Sequence, residues 1–395
     1  MPSIGAWRAD PACVAAHGKA MYRANRMADN LPLLEPFTKQ HTYCAYCPKM
    51  CRFSCPVSVA QSSETTTPWA KMTSAHHVND GNLDMSESVA ASWYGCSGCL
   101  RCRTHCTHRN EVAATLYAAR AEAVQQGQAP KRAVAVLEEH ERRSQKAARA
   151  GSRLFAESTT EAGPDVMYFP GCTANVLRAD DAIAGWRATR ALADAPVRVV
   201  ADRCCGLPLL EAGDPDGFRS SASEVLSAIL EASLVVFLDP GCLHALKVES
   251  VRHGLTPPAD RMIHLSELAV RHIDRIEPLP KPSIARYHDP CRLGRGLGVY
   301  EAPRRVLAKI LGNEVEEFHQ HRDNSICSGG GGQLPRTDPE TAVAIAKDRL
   351  AQHAWVGGGS IVTACPGSAH QLIENGDDPV LTFASLLEES CRGDR

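Results

Sequence analysis

Fifteen of the 17 cysteines in this sequence fall into arrangements suited to binding iron and sulfide. The stretch "CSGCLRCRTHC" sets Cys96, Cys99, Cys102 and Cys106 in a C-x2-C-x2-C-x3-C spacing, and "CAYCPKMCRFSCP" sets Cys44, Cys47, Cys51 and Cys55 in the same order with one extra residue before the third. Three closely spaced cysteines on a tight turn can wrap three corners of an iron-sulfur cubane. The fourth, a turn down the following helix, is too far away and reaches a second cluster. On that logic Cys44, Cys47, Cys51 and Cys106 serve one [4Fe-4S] cluster, and Cys96, Cys99, Cys102 and Cys55 serve the other. The competing reading is a pair of zinc ribbons. Zinc takes four ligands per site, usually from two well-separated C-x2-C knuckles, so two sets of four closely spaced cysteines suit iron and sulfide better.

The remaining seven lie further along, and two of them are adjacent in "DRCCGLP". A disulfide between sequence neighbours is strained, so delivery of two sulfurs to one cluster is the better reason for the pair. A repeat supports it. "YFPGCTANV" around Cys172 matches "YHDPCRLGR" around Cys291; "DRCCGLP" matches "SICSGGG", aligning Cys204 with Cys327 and Cys205 with Ser328; "LDPGCLHAL" matches "ACPGSAHQL", aligning Asp239 with Cys365 and Cys242 with Ser368. Each copy thus carries three cysteine-bearing loops. Loops at the carboxyl ends of parallel strands converge on the ligand site in open α/β sheets.

These loops need elements to hold them. The runs "VMYFP", "VRVVA", "LVVFLDP", "SIARYHDP" and "SIVTACP" read as strands, and the helical patterns between them argue for parallel α/β layers. Residues 111 to about 150 carry apolar residues at helical spacing, as at Val112, Leu116 and Ala119, and "GSRLFAESTTEAGPD" reads as a linker. The expected fold is α+β and multidomain: a helical extension over residues 1–40, a helical two-cluster ferredoxin domain over 41–150, and tandem α/β repeats over 165–275 and 281–391. At 395 residues, 44% hydrophobic and 22% charged, the chain can bury several cores, and its formal charge of -2 implies no nucleic-acid partner. There is no signal-peptide pattern and no run of about 18 apolar residues. The expected location is therefore the cytoplasm, either free or peripheral on the inner face of the membrane. In that compartment so many cysteines point to metal rather than disulfides.

With those motifs in place, the chain resembles the cysteine-rich CCG-domain iron-sulfur oxidoreductases, which include heterodisulfide reductase catalytic subunits and the iron-sulfur subunits of glycolate, lactate and glycerol-3-phosphate oxidising complexes. "HDPCRLGRGLGVYEAPR" and "CSGGGG" look like that family's second repeat. The family pattern is a cysteine, then Cys-Cys-Gly, then Cys-Pro-x-Cys, and in heterodisulfide reductase it holds a noncubane cluster on five thiolates. The first copy here keeps Cys172, Cys204, Cys205 and Cys242 but has Asp239 in place of a cysteine. The second keeps Cys291, Cys327 and Cys365 but has Ser328 and Ser368. Four thiolates and a carboxylate suffice for a further noncubane or cubane cluster in the first copy. Three thiolates in the second leave an open iron, a trinuclear cluster or an empty site as alternatives.

The resemblance implies an electron-transfer subunit, with Cys204, Cys205 and Cys327 as catalytic candidates. Its partner would be a flavoprotein, either an FAD-linked oxidase or an electron-transfer flavoprotein, and its acceptor a quinone or membrane cytochrome. No flavin or nicotinamide motif is visible, so the substrate-oxidising chemistry belongs to another polypeptide. The rival functions are a thiol-disulfide reductase and a non-catalytic metal-binding scaffold. Among lesser features, Gly329 to Gly332 lack the lysine and Ser/Thr of a phosphate loop and fit close backbone approach to a cluster. Lys49, Arg52, Arg101, Arg103 and Arg109 either offset cluster charge or guide an acidic partner. His76 and His77 read as surface or capping residues more readily than as ligands, and His244, His288 and His370 as turn residues, hydrogen-bond donors to the ligand cysteines or proton relays.

Overall fold

The computed structural model describes residues 30–156, 166–280 and 283–391. Most of the segment expected as a helical extension, residues 1–29, lies outside them. The cysteine-rich segment hangs on helices. Thr38–Ala45 carries Cys44 near its end, and the stretch between the two motifs forms Pro68–Asn79 and Glu87–Tyr94. Both of the latter start on side-chain caps: Thr67 accepts from the Ala70 N–H, with Pro68 pre-set at the first position, and Ser86 accepts from the Val89 N–H. Helix Val112–Gln125 closes this unit over a core of Met72, Trp93, Tyr94, Leu116 and Ala119.

The expected linker is shorter than its composition suggests. Helix His140–Leu154 runs through Gly151. A Cβ there would overlap the Ala201 carbonyl oxygen, so this glycine is a packing point against the first repeat rather than a break.

Each repeat is a four-stranded parallel sheet with the same order, β2-β1-β3-β4 and β6-β5-β7-β8. The strands are β1 Val166–Phe169, β2 Val197–Val199, β3 Leu234–Phe237, β4 Met262–His264, β5 Ala285–His288, β6 Glu316–Glu317, β7 Ser360–Thr363 and β8 Val380–Thr382. The five strands read from the sequence are β1, β2, β3, β5 and β7. The other three are edge strands of two or three residues, too short to show a period. The repeats share one core, in which Tyr168, Val236 and Ile263 of the first sheet join the same cluster as Tyr287, Leu307, Val362 and Phe383 of the second half. That shared core fixes the two sets of strand ends relative to each other.

Candidate functional site: a line of cysteines

The eight cysteines of the helical domain form two groups. At the outer one, Cys44, Cys47, Cys51 and Cys106 lie close enough to interact electrostatically. Burial pushes the Cys44 thiol up to about 12, against a 3.2 Å hydrogen bond donated by Asn110 Nδ2. Burial, then repulsion by Cys106 and Cys47, raises Cys51 to about 11. At the inner group, Cys55, Cys96, Cys99 and Cys102 line one small cavity with Lys71, Ser97 and Leu100. Lys71 Nζ donates to Cys55 Sγ at 3.6 Å and to the Gly95 carbonyl at 2.5 Å, and the Gly98 N–H points at Cys96 Sγ at 3.4 Å. In both groups the fourth cysteine comes from the other motif. Among the described residues no His, Cys, Asp or Glu side chains converge tightly enough to hold a single metal ion.

The seven cysteines of the repeats meet in a way the sequence did not indicate. Cys172, Cys205, Asp239 and Cys242 of the first repeat and Cys291, Cys327, Ser328, Cys365 and Ser368 of the second line a single cavity of about 140 Å³. Two separate sites become one site with two walls. Cys204 stands behind the first wall, in hydrogen-bond contact with Cys172 and Cys205, and Cys205 Sγ lies 3.4 Å from Cys242 Sγ. Backbone N–H groups point at the sulfurs, from Gly206 to Cys204 at 3.4 Å, Gly329 to Cys327 at 3.3 Å and Ser368 to Cys365 at 3.4 Å. Such donors suit thiolates carrying metal. Ser328 and Ser368, standing where cysteines are expected, hydrogen-bond each other at 3.1 Å. Asp239 already caps helix Pro240–His244, accepting from the Gly241 N–H at 2.7 Å, and burial raises its carboxyl above the usual range.

Inner group and cavity touch. Cys327 hydrogen-bonds both Cys291 and Cys99, which holds those two thiols below their ordinary range, while the same bonds push Cys327 up. The glycine run makes this approach possible. A Cβ on Gly331 would overlap the Ser97 carbonyl, and one on Gly332 would overlap the Cys96 carbonyl, so the loop lies backbone to backbone on the inner cysteine turn. Gly98 leaves room in the same way for Arg292, whose Nη2 would lie 2.5 Å from an added Cβ.

Arg292 follows Cys291 on a π-helical turn, Arg292–Gly296, a local geometry frequent at functional sites. It is a cavity wall tied on three sides, donating to Glu211 at 3.0 Å, to the Tyr117 hydroxyl at 2.7 Å and to His244 Nδ1 at 3.0 Å. Burial, then Arg292, holds His244 well below its usual range, so it accepts as neutral imidazole. His288 is likewise buried and accepts from Arg349, whereas His370 sits away from the cavity beside Glu374. His76 is buried against His41 rather than exposed. Both Arg292 and Glu211 are under a tenth exposed. Arg292→Met is therefore expected to cost about 3 kcal/mol or more by leaving the Glu211 carboxylate buried without its cation. A urea midpoint equal to wild type would overturn this account of the wall.

The comparisons with known proteins agree with this layout. Residues 40–110 match the 4Fe-4S dicluster domain, and residues 166–247 and 285–373 match the cysteine-rich domain CCG, together well over half of the chain. The sequence is 30% identical over 223 residues to one subunit of the dihydromethanophenazine:CoB–CoM heterodisulfide reductase from Methanosarcina barkeri, covering 54% of each chain. It is 26% identical over 377 residues to one subunit of the fumarate reductase (CoM/CoB) from Methanothermobacter marburgensis, covering 90% of this chain and 74% of that one. A probable membrane-anchored ferredoxin of Chromohalobacter salexigens is 33% identical over 164 residues, 39% of this chain and 24% of that protein. The chain thus spans about half the length of the first relative and a quarter of the third.

Proposed function

Because this chain belongs to the iron-sulfur proteins that join a 4Fe-4S dicluster domain to paired cysteine-rich CCG domains, we propose that it passes electrons between a flavoprotein and a quinone or other acceptor. It is an iron-sulfur subunit of the heterodisulfide reductase and fumarate reductase type. In this reading Cys44, Cys47, Cys51 and Cys106 hold one [4Fe-4S] cluster and Cys55, Cys96, Cys99 and Cys102 the other. Cys172, Cys204, Cys205 and Cys242 hold a further cluster. One-electron redox chemistry is what such clusters supply when bound.

The observation that carries the reading is the continuity of the sulfurs. Cys51 interacts with Cys55 and Cys102 between the two groups, and Cys99 touches Cys327 at the cavity wall. The donor set fits as well: thiols met by backbone N–H groups and, between the repeats, a cavity of about 140 Å³ that is larger than a single ion needs. The test is anaerobic purification with iron and sulfide counts and EPR. About 8 irons per chain are expected from the helical domain and about 12 with the first repeat filled. Zinc with little iron and no acid-labile sulfide would sink the proposal.

In this reading the flavoprotein docks on the surface over the outer group. Tyr46, Met50 and Phe53 are 71%, 68% and 59% exposed there, beside exposed Lys49, Arg52 and Arg109. An apolar face with basic neighbours suits a partner with an acidic rim. Phe53→Glu is expected to slow reduction by that partner about tenfold while leaving the iron content unchanged. Unaltered kinetics would place the dock elsewhere.

A second reading, disulfide reduction, is favoured by one feature. Thiols of both repeats line one cavity, so a disulfide held there would meet sulfur from two sides. Stoichiometric reduction of a small disulfide by the prereduced, isolated chain is its test; no reaction would remove it. Among the described residues no helix is long and apolar enough to cross a membrane.

A further inference from the structure

The cations near the helical-domain cysteines divide into two kinds. Lys49, Arg52 and Arg109, near the outer group, are exposed; Lys49 lies over the Trp69 ring at 4.0 Å, and Arg52 pairs with Glu64. Solvent and salt screen such charges. The outer cysteines receive their close side-chain hydrogen bond from a neutral amide, Asn110.

The inner group is different. Lys71, Arg101 and Arg295 are 1%, 5% and 6% exposed, and among the described residues none forms an ion pair with a carboxylate. Lys71 Nζ is on Cys55 Sγ. Arg101 reaches only the Ser54 carbonyl and the Gln320 amide oxygen, both at 3.2 Å, yet interacts with Cys99 and Cys55. Arg295 donates to the carbonyls of Cys99, Asp323 and Ser325 at 2.7, 3.0 and 2.8 Å. Arg101 Nε and Arg295 Nη2 are buried with no hydrogen-bond partner at all. Arg101 also feels the Asp348 carboxylate, more weakly than the Cys99 and Cys55 thiols, but three buried positive charges with no carboxylate in ion-pair contact are costly unless negative charge sits among them. A cubane on four thiolates supplies it, as a dianion when oxidised and a trianion when reduced.

Resting on the two-cluster reading above, we propose that Lys71, with Arg101 and Arg295, gives the inner cluster the higher reduction potential of the two. In a poorly polarisable interior a nearby cation favours the more negative, reduced state, and a hydrogen bond to a ligand sulfur acts in the same direction. An electron arriving at the outer group therefore moves downhill towards Cys99, and so towards the cavity wall at Cys327. Lys71 is a positioning residue for charge: it touches a ligand sulfur and need not change its own protonation.

The experiment is an EPR-monitored redox titration of the intact chain. Cys47→Ser, which alters or removes the outer signal alone, identifies which signal is which. In the wild type the inner signal is expected to appear first on reduction. Lys71→Gln should lower the inner midpoint so that the two reductions merge or exchange order, with the outer midpoint unmoved, while Lys71→Arg should keep the wild-type order. Should Lys71→Gln fail to load iron, Arg101→Gln removes a second cation without a sulfur contact and should shift the same midpoint in the same direction. A wild type without two cubane signals would defeat the cluster reading itself. Two signals in the opposite order, or an inner midpoint indifferent to both substitutions, would defeat this inference and leave that reading standing.

Discussion

Serine at position 205 is expected to lower the iron content from about 12 to about 8 per chain, with both cubane EPR signals retained and electron delivery to the acceptor abolished. Cys205 is 2% exposed and sits in the middle of the sulfur series, hydrogen-bonded to Cys204 on one side and Cys242 on the other. No neighbouring side chain can take over its place. Cys365→Ser makes the informative comparison. Cys365 lines the same cavity from the opposite wall, where Ser328 and Ser368 leave only three thiolates, so its loss is expected to leave the iron count at the wild-type level. Equal iron in wild type and Cys205→Ser would show that the first repeat holds no cluster. Equal loss in both variants would show that the two walls share one.

Alanine at Gly332 is expected to be the most disruptive small change in the chain. The backbone there is left-handed, with φ at +68°, which costs a non-glycine residue about 1 kcal/mol. The larger penalty is steric, because the new methyl would overlap the Cys96 carbonyl and the Ser97 backbone, which cannot rotate away as a flexible side chain could. The combined cost is expected to be about 3 kcal/mol or more. Relief comes only by parting the glycine loop from the inner cysteine turn, which also separates Cys327 from Cys99. Gly357→Ala separates the two effects. Its φ is +104°, but nothing lies within 4 Å of an added Cβ, so it pays the backbone strain without the clash. The measurement is a urea midpoint for each, with the rate of reduction at the cavity site after rapid reduction of the cubanes. If Gly332→Ala unfolds no earlier than Gly357→Ala, the close packing is wrong.

Legibility varied with the range of the interaction. The four interior strands, β1, β3, β5 and β7, showed in the sequence as apolar runs because each is buried on its own account, and the edge strand β2 showed only through the valines of "VRVVA". The edge strands at Met262–His264, Glu316–Glu317 and Val380–Thr382 did not, since two or three residues carry no period and are set by pairing with a neighbour. Gly151 looked like the start of a linker because a glycine in a helix reads as a breaker until its close neighbour, Ala201, is known. The five basic residues around the cluster motifs carried two meanings, and burial divided them. Arg101 is enclosed, Arg103 pairs with Glu111, and Lys49, Arg52 and Arg109 face solvent. Lys71 and Arg295 were missed. Neither belongs to a spacing motif, and a lysine in a helix between two cysteine runs gives no sign of being 1% exposed.

By itself the sequence determined the cysteine inventory and its spacing. Thiol spacing on short loops is local covalent geometry, so the two four-cysteine motifs, the adjacent pair at Cys204 and Cys205, and the duplication with its replacements at Asp239, Ser328 and Ser368 could all be read from the chain. Tertiary structure alone decided how those parts face one another. It merged the two repeats into one cavity, set Cys327 against Cys99, and enclosed three cations around one group of cysteines while leaving the other group's cations in solvent. The reason is that these contacts join residues far apart in the chain, 196 positions for Cys99 and the Arg295 side chain and 219 for Arg101 and Gln320. A shared hydrophobic core and backbone-to-backbone packing at Gly331 and Gly332 bring them together, and neither leaves a mark in local spacing.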